Sequence, residues 1–110
     1  MATSENLQEQ FVVLYLNRAN RLIGSYQLSK GGITGTIADV RLILSVALKT
    51  LATGLILAHN HPSGNLKPSE ADKQITNKIR QAAKLLDIEV MNHIIISSEG
   101  YYSFADDGIL

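Results

Sequence analysis

Residues 54–72 read GLILAHNHPSGNLKPSEAD. The stretch opens as a short apolar strand, GLILAH, crosses a Gly/Pro loop over residues 60–68 and enters a helix near Ser69. Strand, loop and helix in this order make one step of an α/β fold, with GLILAH as a central strand. Side chains two apart on a strand share a face, so His59 and His61 point the same way from its end. Zinc accepts imidazole nitrogens and carboxylate oxygens at roughly 2.0–2.2 Å, usually as a tetrahedron. Asp72 is the candidate third ligand. Positions 72, 75, 79, 82 and 86 follow at helical intervals, so Asp72 shares a stripe with Ile75, Ile79 and Leu86. A carboxylate on a buried stripe is costly unless it is paired or bound to a metal. Three protein ligands leave a fourth position for water, as in a catalytic zinc site. Ser69-x-x-Asp72 is also a helix capping box, and a histidine at a strand end is often plain polar surface. The two roles of Ser69 are compatible, because a capping hydroxyl at a metal site can also reach a substrate.

Upstream, FVVLYLN (11–17) is apolar on both alternating faces, which suits a strand buried on both sides. A turn at Arg18-Ala19-Asn20 leads to RLIGSYQLS (21–29) as the second strand of a hairpin, and Gly31-Gly32 loosens the chain after it. Thr36-Ile37-Ala38-Asp39 resembles a capping box, and the segment to about Leu51 is apolar at nearly every angle. That predicts a helix buried on more than one side. Downstream, the second helix runs from near Ser69 to about Leu86. Its Lys73, Asn77, Arg80 and Lys84 make a solvated face. IEVMNHIIISS (88–98) is another strand, Glu99-Gly100 a turn, and YYSF a short last strand. His93 reads as a polar residue in or beside the sheet, with contact to the metal site as the lesser alternative. Tyr101, Tyr102 and Phe104 read as core or edge aromatics. The order β-β-α-β-α-β-β predicts a single mixed sheet with helices packed on it.

The 110 residues suit one domain, and 45% hydrophobic content is enough to build its core. Ten basic residues balance ten acidic ones, which gives no support to a nucleic-acid surface. The absence of cysteine excludes disulfides and thiolate metal sites. Apolar runs are too short to span a bilayer, so no membrane association is expected. MATSENLQEQ has neither a basic nor an apolar signal region, which makes the cytoplasm the default expectation. An exposed strand edge could pair two copies into a homodimer.

The pattern His-x-His-x7-Ser-x2-Asp, filled by His59, His61, Ser69 and Asp72, resembles the JAMM motif of the JAB/MPN metallopeptidases. LILAHNHPSG and PSEAD, with RLI before and NHIIIS after, look like the bacterial RadC-like proteins. The resemblance runs from about Glu9 to Leu110. It implies a JAB domain over 9–110, with a cytidine-deaminase-like αβα layout, preceded by an extension over 1–8. It also implies that His59, His61 and Asp72 hold Zn²⁺ and that Ser69 positions or stabilises the reacting carbonyl. A glutamate leading the first strand, matched here by Glu9, would be the general base, with Glu5 the poorer alternative. The implied reaction is hydrolysis of an amide or isopeptide bond in a peptide or protein substrate. The alternative is a DNA-repair module acting with nucleic acid or a protein partner. RadC proteins commonly carry a helix-hairpin-helix region ahead of the JAB domain. Nothing like it is read here, so a DNA role resting on that region does not carry over. A zinc deaminase is disfavoured, because its Pro-Cys-x-x-Cys element has no counterpart in a chain without cysteine.

Overall fold

The computed structural model describes residues 10–29, 38–62 and 64–110. Along them run β1 (Gln10–Leu16), β2 (Leu22–Ser29), α1 (Val40–Thr50), β3 (Gly54–Asn60), α2 (Glu70–Leu85), β4 (Glu89–Ser97) and β5 (Gly100–Ser103). The five strands form one mixed sheet in the order β2-β1-β3-β4-β5. All neighbours are antiparallel except β3 and β4. Parallel neighbours need a crossover, and α2 supplies it. The loop from Asn60 to α2 is short, so α2 starts close to the C-terminal end of β3. Open α/β sheets build their sites at such strand ends. The expected α/β fold, a mixed sheet with helices packed on it, is the one observed.

Both described helices contribute to one buried cluster with the sheet. It joins Phe11, Val13 and Tyr15 of β1, Ile43 and Ala47 of α1, Leu55 and Leu57 of β3, and Ile79 and Ala83 of α2. Of the αβα layout, the described residues therefore supply the sheet and one helical layer. The reading of β1 as buried on both sides holds fully for one face only. Phe11, Val13 and Tyr15 are buried, whereas Val12 and Leu14 on the other face are half-buried. The Tyr15 hydroxyl donates to the Ile43 carbonyl at 2.8 Å and ties α1 to the sheet. Burial, helped by the nearby Tyr26, pushes the Tyr15 phenol up to about 12.

The two helices depart from expectation in instructive ways. α1 is not buried on several sides. Ile43, Leu44 and Ala47 face the core, but Leu42, Leu48 and Leu51 are exposed. The helix lies on the outside of its layer, so only one stripe meets the sheet and α2. Its N-cap is Asp39, whose carboxylate accepts from the Arg41 amide at 2.9 Å. Thr36, Gly31 and Gly32 lie outside the described residues. The buried stripe of α2 runs through Thr76, Ile79 and Ala83, with Asp72 and Ile75 half-buried. Leu86 is not on that stripe. It is the C-cap residue and is exposed, because the helix has already ended there.

One irregularity sets the site. Along β3 and β4 the register steps from Leu55↔Val90 to Ile56↔Asn92, so Met91 is an extra residue on β4. A bulge of this kind reverses the alternation beyond it. Val90 is buried before the bulge, and His93 and Ile95 are buried after it.

Candidate metal centre

The pairing of β3 with β4 carries past the end of the strand, since the His61 amide donates to the Ile96 carbonyl at 3.0 Å. That keeps His59 and His61 in extended alternation, and both rings sit on the face toward α2. The chain then folds back. Gly64 donates to the His61 carbonyl at 3.0 Å and adopts φ 88°, a left-handed value that glycine takes without strain. α2 begins with a complete capping box. Ser69 Oγ accepts from the Asp72 amide at 3.0 Å, and Asp72 Oδ2 accepts from the Ser69 amide at 2.8 Å. The cap and the site are thus one object, because the carboxylate held by Ser69 is the one turned to the histidines.

His59 Nε2 lies 2.9 Å from His61 Nε2 and 3.3 Å from Asp72 Oδ1. His61 Nε2 lies 3.1 Å from Asp72 Oδ2. A tetrahedral ion with bonds of roughly 2.0–2.2 Å spaces its ligand atoms about 3.3–3.6 Å apart, so these three stand at or just inside that spacing. Among the described residues, His59, His61 and Asp72 form a group whose donor atoms could hold one metal ion. The chemistry of the donors fits as well. His61 Nδ1 is 2.6 Å from the Asn65 carbonyl oxygen, which can only accept. Nδ1 therefore carries the proton, and in the neutral ring Nε2 is left with a lone pair directed at the site. Burial on its own would raise the Asp72 pKa. A proton on His59 Nε2 and the Ser69 amide oppose it and hold the carboxyl well below the usual carboxylate range, and a metal ion in place of that proton would act in the same direction. Asp72 is accordingly ionised, as a ligand must be.

Behind these three residues lies a feature that the reading of the sequence gave little weight. His93 lies in the sheet, on β4, and is fully buried. Its Nε2 is 2.7 Å from His59 Nδ1, and its Nδ1 is 2.5 Å from Thr76 Oγ1. Phe104 stacks on the His93 ring at 4.5 Å between centroids, and Phe11 stacks on His59 at 5.8 Å. Burial first, then the neighbouring His59, pushes His93 down to about 3, so it is neutral near pH 7. Thr76 could have been anticipated, since it follows Asp72 by four residues on the same helix face. His93 could not, because its facing depends on the Met91 bulge. Glu9, and with it Glu5, lies outside the described residues.

The chain matches the family model for the RadC-like JAB domain over residues 1–109. Relatives include UPF0758 proteins of Flavobacterium johnsoniae, 58% identical, and Porphyromonas gingivalis, 49% identical. The match to the first covers 92% of this chain and 44% of the relative, and to the second 94% and 46%. The UPF0758 protein YfjY of Escherichia coli is 46% identical over 94% of this chain and 64% of its own length. The chain thus spans about half to two thirds of these relatives.

Proposed function

The chain belongs to the RadC-like JAB domain family, and from that premise we propose that it is a zinc-dependent hydrolase of JAMM type acting on an amide or isopeptide bond. The observation that carries the reading is the convergence of His59 Nε2, His61 Nε2 and an ionised Asp72, with His61 Nδ1 already committed to the Asn65 carbonyl. Two nitrogens and one oxygen, without cysteine, form a donor set suited to zinc. A zinc ion held by them supplies Lewis-acid activation of water at neutral pH.

The chain's own residues then divide the work. His59, His61 and Asp72 would hold the ion. Ser69 is exposed at the start of α2. Its oxygen accepts from the Asp72 amide, while its own hydrogen can be donated to a substrate carbonyl as negative charge builds there. Glu9 is the proposed general base, which takes a proton from water and returns it to the leaving amine.

Two measurements test this. Purified protein should contain close to one zinc per chain by elemental analysis, and a His59→Ala/His61→Ala variant close to none. Incubation with a peptide library followed by mass spectrometry should then show cleavage that Glu9→Gln lowers by on the order of 10²–10⁴-fold while zinc is retained. Equal zinc in wild type and the double variant would overturn the metal assignment. Unaltered cleavage in Glu9→Gln would remove Glu9 from the mechanism.

A further inference from the structure

The ligand residues are joined behind the site by a chain of hydrogen bonds. It runs from His59 Nδ1 to His93 Nε2 at 2.7 Å, from His93 Nδ1 to Thr76 Oγ1 at 2.5 Å, and from Thr76 Oγ1 to the Asp72 carbonyl at 2.7 Å. Its last member decides the direction of every proton in it. A carbonyl oxygen only accepts, so the Thr76 hydroxyl donates to Asp72. Thr76 Oγ1 must then accept from His93, which places the His93 proton on Nδ1. With its one proton on Nδ1, His93 offers a lone pair at Nε2 to His59 Nδ1, 2.7 Å away, and His59 donates to it. That leaves His59 Nε2 with its lone pair facing His61 Nε2 and Asp72, the tautomer a metal ligand requires.

We infer that His93 and Thr76 are positioning residues for the metal centre, which fix the tautomer and ring orientation of His59 through a one-directional chain anchored on the Asp72 main chain. The inference rests on the metal assignment above and adds the means by which one ligand is set. The surroundings suit the role. His93 is fully buried, with Phe11 in a T-shaped contact at 5.6 Å and Phe104 stacked on it at 4.5 Å, which restricts the ring. The Phe104 amide donates to the His93 carbonyl at 3.0 Å, which joins the β5 turn to the same residue. Thr76 serves α2 and the ring together, because one hydroxyl accepts from His93 and bonds back to its own helix four residues earlier. The two ligand-bearing elements, β3 and α2, are thereby linked through β4.

Zinc affinity, measured by competition with a chromophoric chelator, gives a readout independent of hydrolysis. His93→Phe keeps an aromatic ring against Phe104 but removes the acceptor, and should weaken zinc binding about 10–100-fold. His93→Gln offers an amide oxygen to His59 Nδ1 and should recover most of the loss. Thr76→Val is nearly isosteric and touches neither His59 nor the metal, yet should weaken zinc several-fold, because His93 is then free to move its proton to Nε2. Combining it with His93→Phe should add little, since both act through the same chain. Nitrogen-15 spectra of the zinc-loaded wild type should show His59 protonated at Nδ1 and His93 at Nδ1. Unchanged affinity in both His93→Phe and Thr76→Val, with zinc still lost on Asp72→Asn, would overturn the positioning role and leave the metal centre intact. Zinc binding indifferent to Asp72→Asn would overturn the metal centre and this inference with it. Because Thr76→Val alters no ring, it decides the question even if His93→Phe fails to fold.

Discussion

α1 and α2 both begin with an aspartate that satisfies backbone amides, and the two aspartates have opposite fates. Asp39 is itself the N-cap. It faces solvent, accepts from the Arg41 amide and lies 3.5 Å from the Arg41 guanidinium, which is the first reason its carboxyl titrates below the usual range. All of its partners belong to its own helix. Asp72 sits three residues inside α2 and receives the amide of the capping serine. Its carboxylate is 17% exposed and meets two histidine rings from a neighbouring strand. Local capping chemistry is therefore the same at both ends. The difference comes from where each helix starts. α2 follows β3 through a short loop, so its N-terminus stands at the strand end. The helix N-terminus keeps the carboxylate ionised, and a half-buried carboxylate set beside two imidazoles can hold a cation. The same feature at α1 is only a cap.

Exchanging the chemistry of the two aspartates should give the largest effect. Asp72→Asn should reduce zinc affinity by at least about 100-fold, judged against a ligand set of only three protein donors. Asp39→Asn should leave zinc stoichiometry unchanged and lower the melting temperature slightly at most, since Asn also caps well. Chelator competition on both variants checks this, and loss of zinc from the Asp39 variant would break the comparison.

The next effect concerns how each helix is packed. Ile79 of α2 is fully buried, and Leu48 of α1 is 53% exposed. Ile79→Ala should cost about 2–5 kcal/mol. Leu48→Ala, although the residue is just as apolar, should stay within about 0.5 kcal/mol. Urea denaturation of both variants would separate them.

The ties to the sheet differ as well. α1 is anchored by the Tyr15 phenol, which burial pushes up to about 12. Between pH 10 and 12 the unfolded chain loses this proton while the folded chain keeps it. The stabilisation is therefore fully present below pH 10 and is lost as pH rises toward 12, a change on the order of 2–3 kcal/mol. Tyr15→Phe should flatten that alkaline slope. An unchanged slope would show that other groups carry it.

The smallest effect sharpens the view of Ser69. Ser69→Ala should cost about 1 kcal/mol and Ser69→Gly only a few tenths, because glycine is a tolerable cap. If the hydroxyl also serves the reaction, both variants should lose hydrolysis to a similar extent. Full activity in Ser69→Gly would leave the serine as a cap only.

The two helices also explain why the sequence was legible in some places and opaque in others. The periods of the strand and the helix are local properties. Two residues along β3 put His59 and His61 on one face, and three-to-four-residue steps put Asp72 above Thr76 and Ile79. Ser-x-x-Asp specified its own capping box within four residues. The single mixed sheet followed from the succession of elements, whereas the strand order within it was seen only in the structure. α1 was misjudged because apolar content does not say whether anything packs against it. Leu42, Leu48 and Leu51 are exposed although their sequence neighbours are buried.

What the sequence by itself determined was the convergence of His59, His61 and Asp72, since each side chain's direction depends on the backbone period of its own element. What the tertiary structure decided was the support behind that set. Met91 adds one residue to β4 against β3, and this reverses the facing of everything after it. His93 thereby turns inward to meet His59, Thr76 and Phe104. Register between strands is a non-local property, fixed by the pairing of residues more than thirty positions apart. A sequence window that sees only alternation has no means of counting the extra residue, so the group of His59, His61 and Asp72 could be named from the chain and the buried His93 behind it could not.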